Sequence, residues 1–271
     1  MKTIVHISDL HFGRTSASVA EALLMDIKRL GPTVVVVSGD LTQRARRHQF
    51  AAAREYLNLI PYPLVIIPGN HDIPLYHVIN RLLRPFHGYR RHISRDFSPL
   101  FADDRLVVLG INTVCPYRWT EGHLSRRQME TICSTFARFD PSSFKVLVTH
   151  HPFVLPERHA KNSILARSDE VMQTIRVCGA DLLLSGHLHV SCTAGLPVRF
   201  SASQREPVLA VQAGTAISTR RREEPNAYNI ITIQSGEVLV KIRKWAGEGF
   251  ATFSRTRFVR ESKGWEMRDA F

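Results

Sequence analysis

Five short stretches carry most of the side chains in this sequence that can hold a cation or move a proton. They are Ser8-Asp9-Leu10-His11, Ser38-Gly39-Asp40, Pro68-Gly69-Asn70-His71-Asp72, Thr149-His150-His151-Pro152 and Ser185-Gly186-His187-Leu188-His189. Carboxylate, imidazole and amide groups gathered near a core need partners or a cation, because burying them unpaired is costly. Asp9 and His11 are two residues apart, as are His187 and His189. On an extended strand end that spacing sends both side chains the same way, so the two pairs can pinch a bimetallic centre from opposite sides. Gly39, Gly69 and Gly186 precede candidate ligands, where glycine permits a tight, sometimes left-handed turn. Residue type alone leaves the third stretch open: histidine is a good metal ligand and asparagine a poor one, and Asn70 and His71 share one turn.

The elements that must position these groups read as alternating strands and helices. Strands are expected at 3–8, 33–38, 64–67, 106–111, 144–149 and 181–185, and each of the five stretches lies at or just past one of their ends. Thr33–Ser38 is a nearly continuous β-branched run, as in a strand covered on both faces. Helices are expected at 19–30, 46–59, 125–136 and 169–178; the first has Val19, Leu23, Ile27 and Leu30 on one face and stops at Gly31-Pro32. After residue 190 short alternating stretches at 208–212, 228–233, 237–244 and 250–259 suggest antiparallel strands. The last of these reads as an edge strand or a dimer contact. In such α/β sheets ligands gather beyond the carboxyl ends of the parallel strands.

The five stretches, in this order, resemble the calcineurin-like binuclear metallophosphoesterases, whose pattern runs D-x-H, G-D, G-N-H-[DE], a histidine, and G-H-x-H. The resemblance spans Asp9 to His189. It implies one α/β domain over residues 1–271, built as two packed mixed β-sheets flanked by helices (an α/β/β/α sandwich), with the motifs in 1–190 and a strand-rich part in 191–271. It implies two divalent metals, one held by Asp9, His11, Asp40 and His189, the other by Asp40, Asn70, His150 and His187, with Asp40 bridging. Asn70 is then the ligand and His71 stays uncoordinated. The implied reaction is attack on phosphorus by a hydroxide shared between the metals, with His71 protonating the leaving oxygen. Asp72 either orients His71 or closes the turn on local backbone. Oxygen and nitrogen ligands without thiolate admit manganese, iron, zinc or cobalt.

Within the family the size and the Gly-Asn-His-Asp loop look most like the bacterial class III cyclic nucleotide phosphodiesterase branch, which often dimerises. Small anionic phosphoesters are therefore the expected substrates. Nuclease, nucleotide-diphosphate or lipid-diphosphate hydrolase activity is the alternative, and a non-catalytic scaffold would have lost ligands that this chain retains. The branch acting on a UDP-linked lipid precursor typically carries arginine where this chain has His71, which counts against it.

The formal net charge is +12, and 29 of the 36 basic residues are arginine. Arg44, Arg46 and Arg47 follow Asp40; Arg81, Arg84, Arg90 and Arg91 follow His71; Arg220, Arg221 and Arg222 follow a strand end. A basic rim for phosphate oxygens is one reading and solvated helix faces are the other. The first reading makes Arg220, Arg221 and Arg222 substrate contacts, and keeps nucleic acid as a partner. Asn112 and His151 are further substrate candidates, Asn112 otherwise starting a turn. The remaining histidines (6, 48, 77, 87, 92, 123, 159) read as structural or surface, His6 as a satisfied core residue. The four cysteines form no CxxC pair and read as free thiols in a reducing compartment. With no apolar run long enough to span a bilayer, the expected location is the cytoplasm.

Overall fold

The computed structural model describes residues 1–153, 168–195, 208–221, 224–261 and 264–270. The order is β1 (Lys2–Ile7), α1 (Ala17–Leu30), β2 (Val34–Val37), α2 (Arg47–Asn58), β3 (Leu64–Ile66), α3 (Val78–Leu83), α4 (His87–His92), β4 (Leu100–Ala102), β5 (Leu106–Gly110), α5 (Arg126–Phe136), β6 (Phe144–Val148) and α6 (Ser168–Val177). It continues with β7 (Leu182–Ser185), β8 (Cys192–Gly195), β9 (Leu209–Gln212), β10 (Ala227–Gln234), β11 (Glu237–Trp245), β12 (Phe250–Glu261) and β13 (Gly264–Ala270).

Alternation along β2 explains the layers. Val34 and Val36 pack with Val108, Val146, Leu182 and Val211, between the two sheets. Val35 and Val37 pack with Leu23 and Ile27 of α1 and Phe50 and Leu57 of α2. On the far side Leu109, Leu147 and Leu183 meet Ile132 and Phe136 of α5 and Ile175 of α6. A strand covered on both faces has no polar side, which is why these runs lack alternation. Each fully buried aliphatic side chain contributes about 1.5–3 kcal/mol of transfer free energy.

The first sheet runs β13-β12-β11-β10-β1-β2-β3 and the second β4-β5-β6-β7-β9-β8. Both are mixed: β1-β2-β3 and β5-β6-β7-β9 are parallel, while β10 joins β1 antiparallel and β4 and β8 are antiparallel edges. The four-layer sandwich expected from the sequence is thus the observed fold.

Three expectations are corrected. Residues 250–259 are not an edge, because β12 is bonded on both sides, to β11 and to β13. The true edge, β13, exposes five of its seven residues and so lacks an apolar pattern to read. The reading of four free thiols fails for Cys133 on α5 and Cys178 just past α6, which are joined as a disulfide that involves neither Cys115 nor Cys192. Tertiary packing of α5 on α6 brings together two residues 45 apart in sequence, which no local spacing announces. Arg81 is no rim residue: it is buried, donates to the carbonyls of Pro74, Pro116 and Arg118, and lies over the Trp119 ring.

Candidate metal centre

The five stretches follow the carboxyl ends of β1, β2, β3, β6 and β7. Backbone bonds between the loops lock them together: Asp9 N–H donates to the Gly39 carbonyl, His11 N–H to the Asp40 carbonyl, and Gly186 N–H to the His150 carbonyl. Six non-glycine residues among those described have positive φ, and five of them are Asp9, His11, Asp40, His187 and His189. Such backbone is strained for residues with a Cβ and persists where the surroundings over-determine it, typically at functional sites. Neither pair is therefore extended, and the same-side argument from two-residue spacing does not hold. His187 and His189 diverge, one to each half of the centre.

Of the three glycines, only Gly39 makes the left-handed turn expected. Gly39 is left-handed, at φ +101°. Gly69 is extended, and Gly186 is not among the positive-φ glycines. What these two supply is space: a Cβ on Gly69 would collide with the Asp40 backbone and carboxylate, and one on Gly186 with Ser8 and Asp9.

Two groups of donors result. In the first, Asp9, His11, Asp40 and His189 offer ligand atoms all within 4.8 Å of one another, and all four are buried. His11 Nε2 stands 3.3 Å from His189 Nε2 and 3.7 Å from Asp9 Oδ1. In the second, Asn70 Oδ1 lies 3.0 Å from both His150 Nε2 and His187 Nδ1, and those two nitrogens are 3.3 Å apart. Asp40 stands between the groups, with Oδ2 3.8 Å from His11 Nε2 and Oδ1 3.4 Å from His150 Nε2.

The chemistry of these donors fits two cations. His150 Nδ1 donates to the Ser38 carbonyl and His189 Nδ1 to the Arg220 carbonyl, which leaves both Nε2 lone pairs aimed inward. Burial, first, pushes His11 and His187 down to about 3, so both are neutral, as a metal-binding imidazole must be. Asp9 Oδ1 is buried without a hydrogen-bond partner, although Oδ2 accepts from His187 N–H. Burial pushes the Asp40 carboxyl up, but His150, His71 and His11 outweigh it and hold it well below the usual carboxylate range. Imidazole nitrogens facing one another beside an orphaned carboxylate oxygen are what a cation would satisfy.

His71 sits against the first group, its ring centroid 4.9 Å from that of His11. Nδ1 donates to the Gln43 carbonyl at 3.0 Å, and Nε2 accepts from Arg220 Nη1 at 2.8 Å. Arg44 Nη1 lies 3.4 Å from Nδ1. Burial, Arg220 and Arg44 lower the His71 pKa against the pull of Asp40.

Asp72 does not orient that ring. Its carboxylate accepts from Leu41 N, Gly69 N, Thr42 N and Thr42 Oγ1 at 2.8–3.0 Å. It closes the turn and ties it to the loop after β2, and Gln43 takes over the orienting role. Burial and the Asp40 charge push Asp72 up to about 7 despite these donors.

The remaining candidates divide. Arg220 reaches the centre and Arg221 is exposed, while Arg222 and His159 lie outside the described residues. Asn112 Oδ1 accepts from Val114 N–H and starts a turn. His151 is buried against the second group, one ring nitrogen within 4.8 Å of those of His150 and His187, with Nδ1 2.8 Å from Thr113 Oγ1 and Nε2 without a hydrogen-bond partner. His6 is the satisfied core residue expected, between Ser38 and Asn229. Gln43 was missed because it acts through its backbone carbonyl, which leaves no mark in residue type.

The family model for calcineurin-like phosphoesterases matches residues 2–191. The chain belongs to the calcineurin-like phosphoesterase family. It is a phosphoester hydrolase whose Asp and His residues fit two metal ions. A probable cyclic nucleotide phosphodiesterase of Synechococcus sp. is 25% identical over 206 residues, covering 71% of this chain and 75% of that one. The glycerophosphodiester phosphodiesterase GpdQ of Enterobacter lignolyticus is 36% identical over 80 residues, 26% of this chain and 29% of its own. In fold, the chain is similar to a dimetal phosphatase from Danio rerio, with a TM-score of 0.65 at 12% identity over 93% of this chain and 98% of that one. The family match ends just before β8, so β8–β13, which complete both sheets, lie outside it.

Proposed function

We propose that this calcineurin-like phosphoesterase hydrolyses phosphodiester bonds in small anionic substrates, 3′,5′-cyclic nucleotides among them. The observation that carries the reading is the placement of Asp40, one oxygen toward each donor group, with the His71 ring alongside. Asp9, His11, Asp40 and His189 would hold one cation, and Asp40, Asn70, His150 and His187 the other. Bound there, two such cations supply Lewis acidity that acidifies coordinated water and offsets charge building on the phosphoryl oxygens. Manganese, iron, zinc or cobalt suit oxygen and nitrogen donors without thiolate.

The protein's own groups do the rest. The carbonyls of Ser38 and Arg220 fix the tautomers of His150 and His189. Asn70 contributes an oxygen without adding negative charge. The Gln43 carbonyl fixes the His71 ring, so that Nε2 faces outward; once Arg220 has turned away and Nε2 has taken up a proton from solvent, the imidazolium passes that proton to the leaving oxygen. Arg220, now donating to Nε2, turns to a phosphate oxygen when substrate enters. Relatives named as cyclic nucleotide and glycerophosphodiester phosphodiesterases support diesters over monoesters.

The test is purified protein supplied with manganese, assayed on bis(p-nitrophenyl) phosphate, 3′,5′-cyclic AMP and p-nitrophenyl phosphate, alongside metal analysis. Diester turnover with two metals per chain is expected. Turnover of the monoester alone would overturn the reading. Arg220→Ser should raise KM for the diester roughly tenfold, the loss of one charged hydrogen bond.

A further inference from the structure

Beside the metal centre lies a cavity of about 530 Å³, within the usual range for a small-molecule site. Arg46 and Arg47 reach it from the start of α2, and Arg84 and Arg91 from the α3–α4 side. Arg44 lines it too, and its Nη1 also meets the His71 ring. The one carboxylate on the wall is Asp72, whose oxygens already accept four hydrogen bonds.

These five arginines differ from others in the chain. Arg29, Arg118, Arg243, Arg257, Arg260 and Arg268 each face a carboxylate. Among the described residues Arg44, Arg46, Arg47, Arg84 and Arg91 face none. Like charges converging on a concavity repel unless an anion joins them. His92, on the same wall, senses the field: burial and then Arg91, Arg47, Arg54 and His87 push its pKa down. A basic face that merely keeps the protein soluble would not need to converge on a hollow beside the proton-transfer residue.

We propose that this cavity is a second anion subsite, which holds a phosphate group of the substrate other than the one hydrolysed. The inference rests on the phosphodiesterase reading and narrows it: the preferred diester carries an additional phosphate, as a 5′-phosphorylated dinucleotide does. Arg44, at the boundary, is then the contact shared by the two phosphates. Arginine forks suit this role through paired N–H donors to phosphate oxygens.

The experiment compares kcat/KM for linear diadenylate with and without a 5′-phosphate, in the wild type, Arg84→Ala/Arg91→Ala and Arg105→Ala. The wild type should favour the phosphorylated dinucleotide at least tenfold. The double variant should shrink that ratio at least tenfold, chiefly through KM, and Arg105→Ala should leave it in place. A wild-type ratio near one, or a ratio equally large in the double variant, overturns the subsite. Calorimetric binding of adenosine 3′,5′-bisphosphate against adenosine 5′-monophosphate gives a readout independent of turnover. If neither dinucleotide is cleaved but the bisphosphate is preferred and the double variant loses that preference, the subsite stands and the phosphodiesterase reading falls. If the wild type shows no bisphosphate preference, the subsite falls whatever the turnover.

Discussion

The two halves of the metal centre are built unequally. The group around His11 has two carboxylates, Asp9 and Asp40, and all four of its members are buried. The group around His150 has an amide and two imidazoles, and borrows its only carboxylate from Asp40. Charge favours a tightly held cation in the first half and a weaker, more exchangeable one in the second. The lesson is that one shared aspartate makes the second half depend on the first, whereas the reverse dependence is slight.

Asp40→Ala breaks the comparison most completely. Both halves should empty, and diester turnover should fall by about 10⁴ or more, the loss of several kcal/mol of Lewis-acid stabilisation at each metal; metal analysis near zero per chain checks it. Separate substitutions sharpen it. Asn70→Ala should leave about one metal per chain and Asp9→Ala fewer, with turnover down by roughly 10³ in each case. Equal stoichiometry in the two variants would mean that the halves are equivalent after all.

His71→Ala tests a group beside the first half that holds no metal. It should lower kcat by about 10²–10⁴ on an alkyl leaving group, and by less on p-nitrophenolate, which leaves without a proton. Two metals per chain should remain, and their loss would make His71 a ligand. The smallest effect belongs to Asp72→Asn, which acts on the turn. It weakens donors from Leu41, Gly69 and Thr42, so stability should fall by about 1–3 kcal/mol in a denaturant titration, with a smaller change in kcat than for His71→Ala.

Much of this arrangement was legible because the motifs are local. Asp9, Asp40, Asn70, His150 and His187 each directly follow or closely trail an apolar run that reads as a strand, and in parallel sheets strand ends converge. Runs such as Val34–Val37 marked strands covered on both faces, and the four-layer sandwich came with the family resemblance. Other features depend on tertiary placement and left no trace. The Cys133–Cys178 bond needs α5 beside α6. The Gln43 carbonyl has no side-chain signature. The arginine clusters gave the right neighbourhood for Arg44, Arg84 and Arg220 but not for Arg81, because burial of a guanidinium against three carbonyls is decided by the 116–118 loop. Two-residue spacing suggested extended pairs, yet the backbone is left-handed at Asp9, His11, His187 and His189, a strain that sequence does not display.

The antiparallel pairing of β10 with β1 carries a consequence for biosynthesis. Lys2–Ile7 leaves the ribosome well before Ala227–Gln234, and one flank stays open until the latter has been translated. In that interval an apolar strand edge waits without its neighbour, a state prone to aberrant association. Slow elongation between the two segments, or truncation before Ala227, should therefore send this polypeptide to chaperones and proteases rather than yield a partly active fragment.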